Sequence, residues 1–182
     1  MYMGGGTPLI ENNEIYNFNN SQLSVGIWVE GSGTGTISCN HIYNLGSTGY
    51  NSYGIIHNSS LVKDNYIKDV FGPNPKGIQS RYGNSRNYNN YIANSGVAIE
   101  VDGSWATAST TIANNTFYGN SNAVLMNIGG YPGTVTVVNN LITDNQYGVV
   151  GSSSTTGTFF IDHNNVWNNS SANYYGVPLT GI

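Results

Sequence analysis

One hexapeptide constrains this chain more than anything else in it: Ile10-Glu11-Asn12-Asn13-Glu14-Ile15, which returns at residues 37–42, 62–67, 87–92, 112–117, 137–142 and 161–166. Its fourth position is Asn in all seven copies, at 13, 40, 65, 90, 115, 140 and 164, and the residue two places on is always apolar. The steps are 27, 25, 25, 25, 25 and 24 residues. A fixed period of roughly 20 to 50 residues is the mark of a repeat architecture, in which each unit buries its apolar face only against the next. A single compact core built from unrelated elements is thereby excluded.

Helix is a poor fit to the repeat, because Gly and Asn recur every few residues and no apolar stripe holds a period of 3.6. Short β-branched and aromatic runs between Gly, Asn and Ser turns read as strands. Each repeat holds three. One strand enters the Asn pair and one leaves it. The third is Gly- or Ala-led, beginning at Gly26, Gly54, Gly77, Ala98, Ala123, Gly148 and, in the last copy, as Gly176-Val177-Pro178-Leu179. Three strands per turn, each beside its equivalent in the next turn, make an all-β parallel β-helix of about seven coils of ~25 residues. The recurring Asn suits a tight corner, since Asn tolerates the left-handed region, and its amide can stack as a ladder along the axis. Cys39 occupies the first polar column, where it is expected as a small buried replacement for Asn.

This pattern resembles the right-handed parallel β-helix repeat of the pectate-lyase-like superfamily, over nearly the whole chain. The resemblance implies a right-handed coil and a glycan lying along the Gly-led sheet. It leaves the activity open, because such folds host lyases, hydrolases, epimerases, tailspikes and proteins without chemistry. The Asp-Asp and Gly-His-Gly motifs of polygalacturonases and the Asp-Pro-His motif of mannuronan epimerases are missing. Alternation also puts no Lys on the Gly-led sheet, where alginate and chondroitin lyases of the superfamily use a Lys/Arg pair. Residues 1–182 read as one β-helix domain. Tyr2-Met3-Gly4 looks like the tail of a Gly-led strand, and neither end carries a polar cap or amphipathic helix. The expectation is a slice of a longer solenoid, or a unit that associates end to end.

Charge excludes some partners. Only 8% of residues are charged and the net charge is −4, which disfavours a nucleic acid. No apolar run is long enough to span a bilayer. A single Cys forbids an internal disulfide framework or a Cys-based zinc site. The opening residues lack the basic and apolar regions of a secretory leader. With the resemblance, this leads to an extracellular or cell-surface location and a polysaccharide partner. The alternative is a structural or adhesive solenoid without chemistry.

Loop lengths point to one sheet. From Asn13, Asn40 and Asn65 to Gly26, Gly54 and Gly77 the chain runs 13, 14 and 12 residues, whereas eight separate Asn90, Asn115 and Asn140 from Ala98, Ala123 and Gly148. In the later coils the extra length moves past the Gly-led strand, as in residues 102–108. Both loop sets flank the Gly-led sheet, so its groove is the expected site. Alternation sends Trp28, Ile56, Gln79, Glu100, Leu125, Val150 and Pro178 outward, and two residues on Glu30, Asn58, Arg81, Asp102, Asn127, Ser152 and Thr180. Arg81, Glu100 and Asp102 are the candidate catalytic residues, with Trp28, Glu30, Asn58, Gln79 and Asn127 as substrate subsites. Paired carboxylates could serve acid and base in glycoside hydrolysis, or hold Ca²⁺ against a uronate whose carboxylate Arg81 neutralises. The bland alternative is a surface ion pair.

Elsewhere, His57 points inward beside Ser80 as a hydrogen-bonded pair, while His41 and His163 belong to the Asn corner. Asp64 and Asp69 could bind Ca²⁺ at an edge, but two acids do not define a site. Tyr16, Tyr43, Tyr118 and Trp167 share an outward column beside Tyr66 and Tyr91, a stripe that suits sugar rings, a protein interface or simple cross-coil stacking. Thr36, Thr111 and Thr136 form a column that Leu61, Arg86 and Phe160 interrupt.

Overall fold

The computed structural model describes residues 1–31, 34–103, 108–129, 133–152 and 157–177. These residues form a parallel β-solenoid of about six turns with no helix, built from three sheets of eight, seven and seven strands. The Gly-led sheet runs through Tyr2–Gly4, Ser24–Glu30, Ser52–His57, Pro75–Ser80, Val97–Asp102, Asn122–Asn127, Tyr147–Gly151 and Ala172–Tyr175. The entry sheet precedes each Asn pair, from Leu9–Glu11 to Gly157–Asp162, and the exit sheet comes after it, from Glu14–Asn20 to Asn165–Trp167. Ile27, Ile55, Ile78, Ile99, Val124 and Val149 stack inward in register and are fully buried. The small leading residue has a steric reason: a Cβ on Gly54 would lie 2.6 Å from the Gly77 carbonyl oxygen of the next coil.

At the Asn corner, two columns divide the work that a single Asn was expected to do. The left-handed residue is the first of the pair: Asn12, Cys39, Asp64, Asn89, Asn114, Asn139 and His163, with φ of 52° to 59°. The second, the Asn present in every copy, forms the ladder. The Asn40 Nδ2 donates to Asn65 Oδ1 at 3.0 Å and to the carbonyls of Ser38 and Ile10 at 3.0 Å each. Its Oδ1 accepts from the backbone and side-chain nitrogens of Asn13 at 3.1 and 2.9 Å. Equivalent side-chain bonds continue through Asn65, Asn90, Asn115 and Asn140 to Asn164. Cys39 is therefore a turn residue, and exposed, rather than a buried substitute for Asn.

The next corner changes midway up the solenoid. Asn17, Asn44 and Asp69 take the left-handed conformation and are succeeded by Phe18, Leu45 and Val70. The strand continues past this kink, giving Glu14–Asn20, His41–Ser47 and Tyr66–Phe71. Much of the expected long loop is therefore strand. In later coils the exit strands stop after three residues, and Ser95, Asn120, Asn145 and Asn169 occupy the equivalent position. There the Ser95 amide donates to Asn120 Oδ1, and Asn120 and Asn145 donate to the next Asn, all at 3.0 Å. A second ladder has replaced the apolar column.

The last Gly-led strand is also corrected. It is Ala172–Tyr175, with Tyr174 in register with Val149 and Tyr175 with Val150. Gly176 instead lies against Gly151, past the strand end. Pro178, Leu179 and Thr180, like residues 104–107 of the later wall, lie outside the described residues.

Candidate functional site

The expected outward column of the Gly-led sheet is present in register, running Trp28, Ile56, Gln79, Glu100, Leu125 and Val150. At its centre the polar side chains are wired together. The Lys76 Nζ sits 2.6 Å from Glu100 Oε2, and both residues are about 5% exposed or less (5% and 4%). The Gln79 Nε2 donates to Glu100 Oε2 at 2.8 Å and to Asp102 Oδ2 at 3.2 Å. That leaves Gln79 Oε1 to accept from Arg81 Nε at 3.1 Å. The Arg81 guanidinium carbon then lies 5.5 Å from the centre of the Trp28 ring.

Lys76 corrects the expectation that no Lys falls on this sheet. It lies two residues before Ile78, in register with Tyr53 and Val97, and its ammonium is 5.4 Å from the Tyr53 ring centre. Gly77, between Lys76 and Ile78, interrupts the two-residue alternation that would have assigned Lys76 to the core. The Lys76–Tyr53 contact and the burial of both partners make this a desolvated ion pair, whose stability depends on keeping the two charges together.

Arg81, Asp102, Glu30, Trp28 and Asn127 are half-buried, whereas Asn58, Gln79 and Glu100 are buried. Glu30 is taken up with Tyr2, whose hydroxyl donates to Glu30 Oε2 at 3.0 Å. All five Lys and Arg residues lie between positions 63 and 86. Lys63 pairs with Asp64 at 3.2 Å, Lys68 with Asp69 at 3.7 Å, and Lys76 with Glu100. Among the described residues this leaves Arg81 and Arg86 without an ion-pair partner. Beside Arg81, the buried Asn58 Oδ1 and Trp28 Nε1 atoms have no hydrogen-bond partner among those residues. Asn58 is next to His57, whose carbonyl accepts the Arg81 amide at 2.9 Å.

The carboxylates are poorly placed to hold a divalent cation. Both Glu100 and Asp102 face the Gln79 amide, and a cation on Glu100 Oε2 would meet the Lys76 ammonium. No group of three or more His, Cys, Asp or Glu side chains that could hold a metal ion occurs among the described residues. Asp64 and Asp69 face their lysines, and Asp69 also accepts from Asn94 Nδ2 at 3.0 Å.

His57 points into the core, fully buried, as alternation predicts. Its Nε2 is 2.8 Å from Ser80 Oγ and 3.2 Å from Asn87 Oδ1, and Asn87 Nδ2 donates to Ser80 Oγ at 2.9 Å. Asn87 thus turns the expected pair into a trio. Burial lowers the His57 pKa to about 4, with the Asn87 bond opposing the shift. Full burial keeps this trio out of reach of a substrate.

The aromatic stripe on the exit sheet is largely used up by itself. Tyr16 and Tyr43 stack at 5.1 Å with 4° between planes, and Tyr66 and Tyr91 at 4.9 Å with 7°. His41 bridges the two pairs, 4.5 Å from Tyr43 and 4.8 Å from Tyr66. Lys68, Ala93 and Thr143 interrupt the column of Tyr16, Tyr43, Tyr118 and Trp167. Rings stacked along the coil axis offer their faces to one another, and only edges to a sugar.

Compared with protein-family models, with curated proteins and with solved structures, the chain matches none. No helix among the described residues is long and apolar enough to cross a membrane.

Proposed function

We propose that this protein is an extracellular or cell-surface glycan-binding β-helix, of the pectate-lyase-like kind, that grips an acidic polysaccharide along the Gly-led sheet. One observation carries the reading. Arg81 is held over Trp28 by a single Nε bond to Gln79, and among the described residues it has no ion-pair partner. The adjacent Asn58 oxygen and Trp28 N–H lack partners there too. The terminal amino groups of Arg81 suit the bidentate geometry of a carboxylate or sulfate. Glu100 is taken up by Lys76 and Gln79, which supports a binding site better than a catalytic one.

Affinity electrophoresis through gels containing a polyuronate, a sulfated glycan or a neutral glucan tests this, with reducing ends and unsaturated uronate followed in parallel. The expected result is retardation by the acidic glycans alone, without product. Product formation abolished by Glu100→Gln would restore the catalytic assignment of Glu100 and Asp102. The competing reading, a structural solenoid, is favoured by the mutual neutralisation of Lys76 and Glu100. It calls for equal mobility in every gel.

A further inference from the structure

We propose that Lys76 and Glu100 are positioning residues, the fixed end of a relay that sets where Arg81 presents its charge; the inference rests on the glycan-binding reading above. The relay arises from hydrogen-bond polarity. An amide side chain has one donating and one accepting end, so the Glu100 oxygen, with Asp102 beside it, captures the Gln79 nitrogen. The Gln79 oxygen must then face the other way, toward Arg81 Nε. A Gln79 turned end for end would present an N–H to the guanidinium, and Arg81 would lose its only side-chain hydrogen bond among the described residues. Lys76 enters as the countercharge of Glu100, 2.6 Å away with both residues buried, so the pair fixes where the Glu100 carboxyl group stands. The order is Lys76, Glu100, Gln79, Arg81, Trp28, with charge at its fixed end and a half-buried guanidinium at its working end.

The chain has only two arginines, so an amide-correlated NMR spectrum tuned to arginine Nε–H contains two signals, Arg81 and the exposed Arg86. Arg81 Nε–H should exchange with solvent slowly and Arg86 fast. Lys76→Met alone strands a buried carboxylate, so the test uses Lys76→Met with Glu100→Leu, which removes both charges, and separately Gln79→Leu. Both variants should bring the Arg81 exchange rate to that of Arg86, and weaken polyuronate binding about tenfold, as expected for a lost hydrogen bond to a charged group. If Gln79→Leu releases Arg81 while the double variant leaves it protected, Asp102 suffices to orient Gln79 and the proposal fails. Protection retained in both variants also overturns it. Release of Arg81 in both, with no polyuronate bound even by the unaltered protein, upholds the relay and removes the glycan reading instead.

Discussion

Two corners of each coil solve the same steric problem by different means. The Asn corner is uniform along the solenoid, with a left-handed residue preceding an Asn amide whose donors and acceptors are all used. The second corner keeps the left-handed residue but changes its successor: Leu45 and Val70, both buried, in the lower coils, and Asn120, Asn145 and Asn169 above. An apolar residue here lets the strand run on. An Asn satisfies the free backbone groups with its side chain, and the strand can stop. The changeover falls between Val70 and Ser95, the segment that carries Lys76, Gln79 and Arg81. Coil-to-coil packing, rather than the repeat itself, therefore decides how far the exit strand runs.

The largest effect should come at the changeover. Lys76→Met leaves Glu100 buried and uncompensated, and should cost about 3–5 kcal/mol in urea unfolding. A loss under about 1 kcal/mol would mean that the carboxylate finds water or another partner. Next come exchanges between the two corners. Leu45→Asn places an amide between Phe18 and Val70, where no ladder continues, and should cost about 3 kcal/mol. An equally stable variant would show that the lower corner can adopt a ladder after all.

Beneath the same segment, His57 should make the coil sensitive to acid. Its folded pKa of about 4 lies below the unfolded value of about 6.5, so the folded state resists protonation. The stabilisation is complete above pH 6.5 and is lost as pH falls toward 4, at up to about 1.4 kcal/mol per unit. Unfolding midpoints at pH 7 and 4.5 should differ in this direction, and His57→Gln should remove most of the difference. The smallest effect is a gain. Ser95→Asn would extend the second ladder by one rung onto Asn120 Oδ1, and should stabilise by about 0.5–1 kcal/mol.

Much of the architecture is legible from position alone. The Asn at 13, 40, 65, 90, 115, 140 and 164 set the register, and two-residue alternation then places Ile27, Gln79, Glu100 and His57 on their faces. The features that escape have local physical causes. Asn120, Asn145 and Asn169 come five residues after the first ladder in each coil, a signal present in the sequence but hidden by the Phe18, Leu45 and Val70 of earlier coils. Lys76 escapes because Gly77 breaks the alternation. The last strand is easily misplaced because Gly176 imitates a leading glycine, whereas one additional residue in that coil puts Asn173 beside Gly148. The direction of Gln79 is not readable at all, since it depends on which neighbours hold charge in the folded state.

Everything proposed for the groove turns on Arg81 being the cation presented to an acidic glycan. Titration calorimetry of a polyuronate into the unaltered protein, Arg81→Gln and Arg86→Gln isolates that role, because among the described residues the two arginines are the Lys and Arg side chains without ion pairs. Binding should weaken about tenfold or more in Arg81→Gln and change little in Arg86→Gln. Equal affinities for all three proteins, or a loss confined to Arg86→Gln, would show that Arg81 does not hold the glycan.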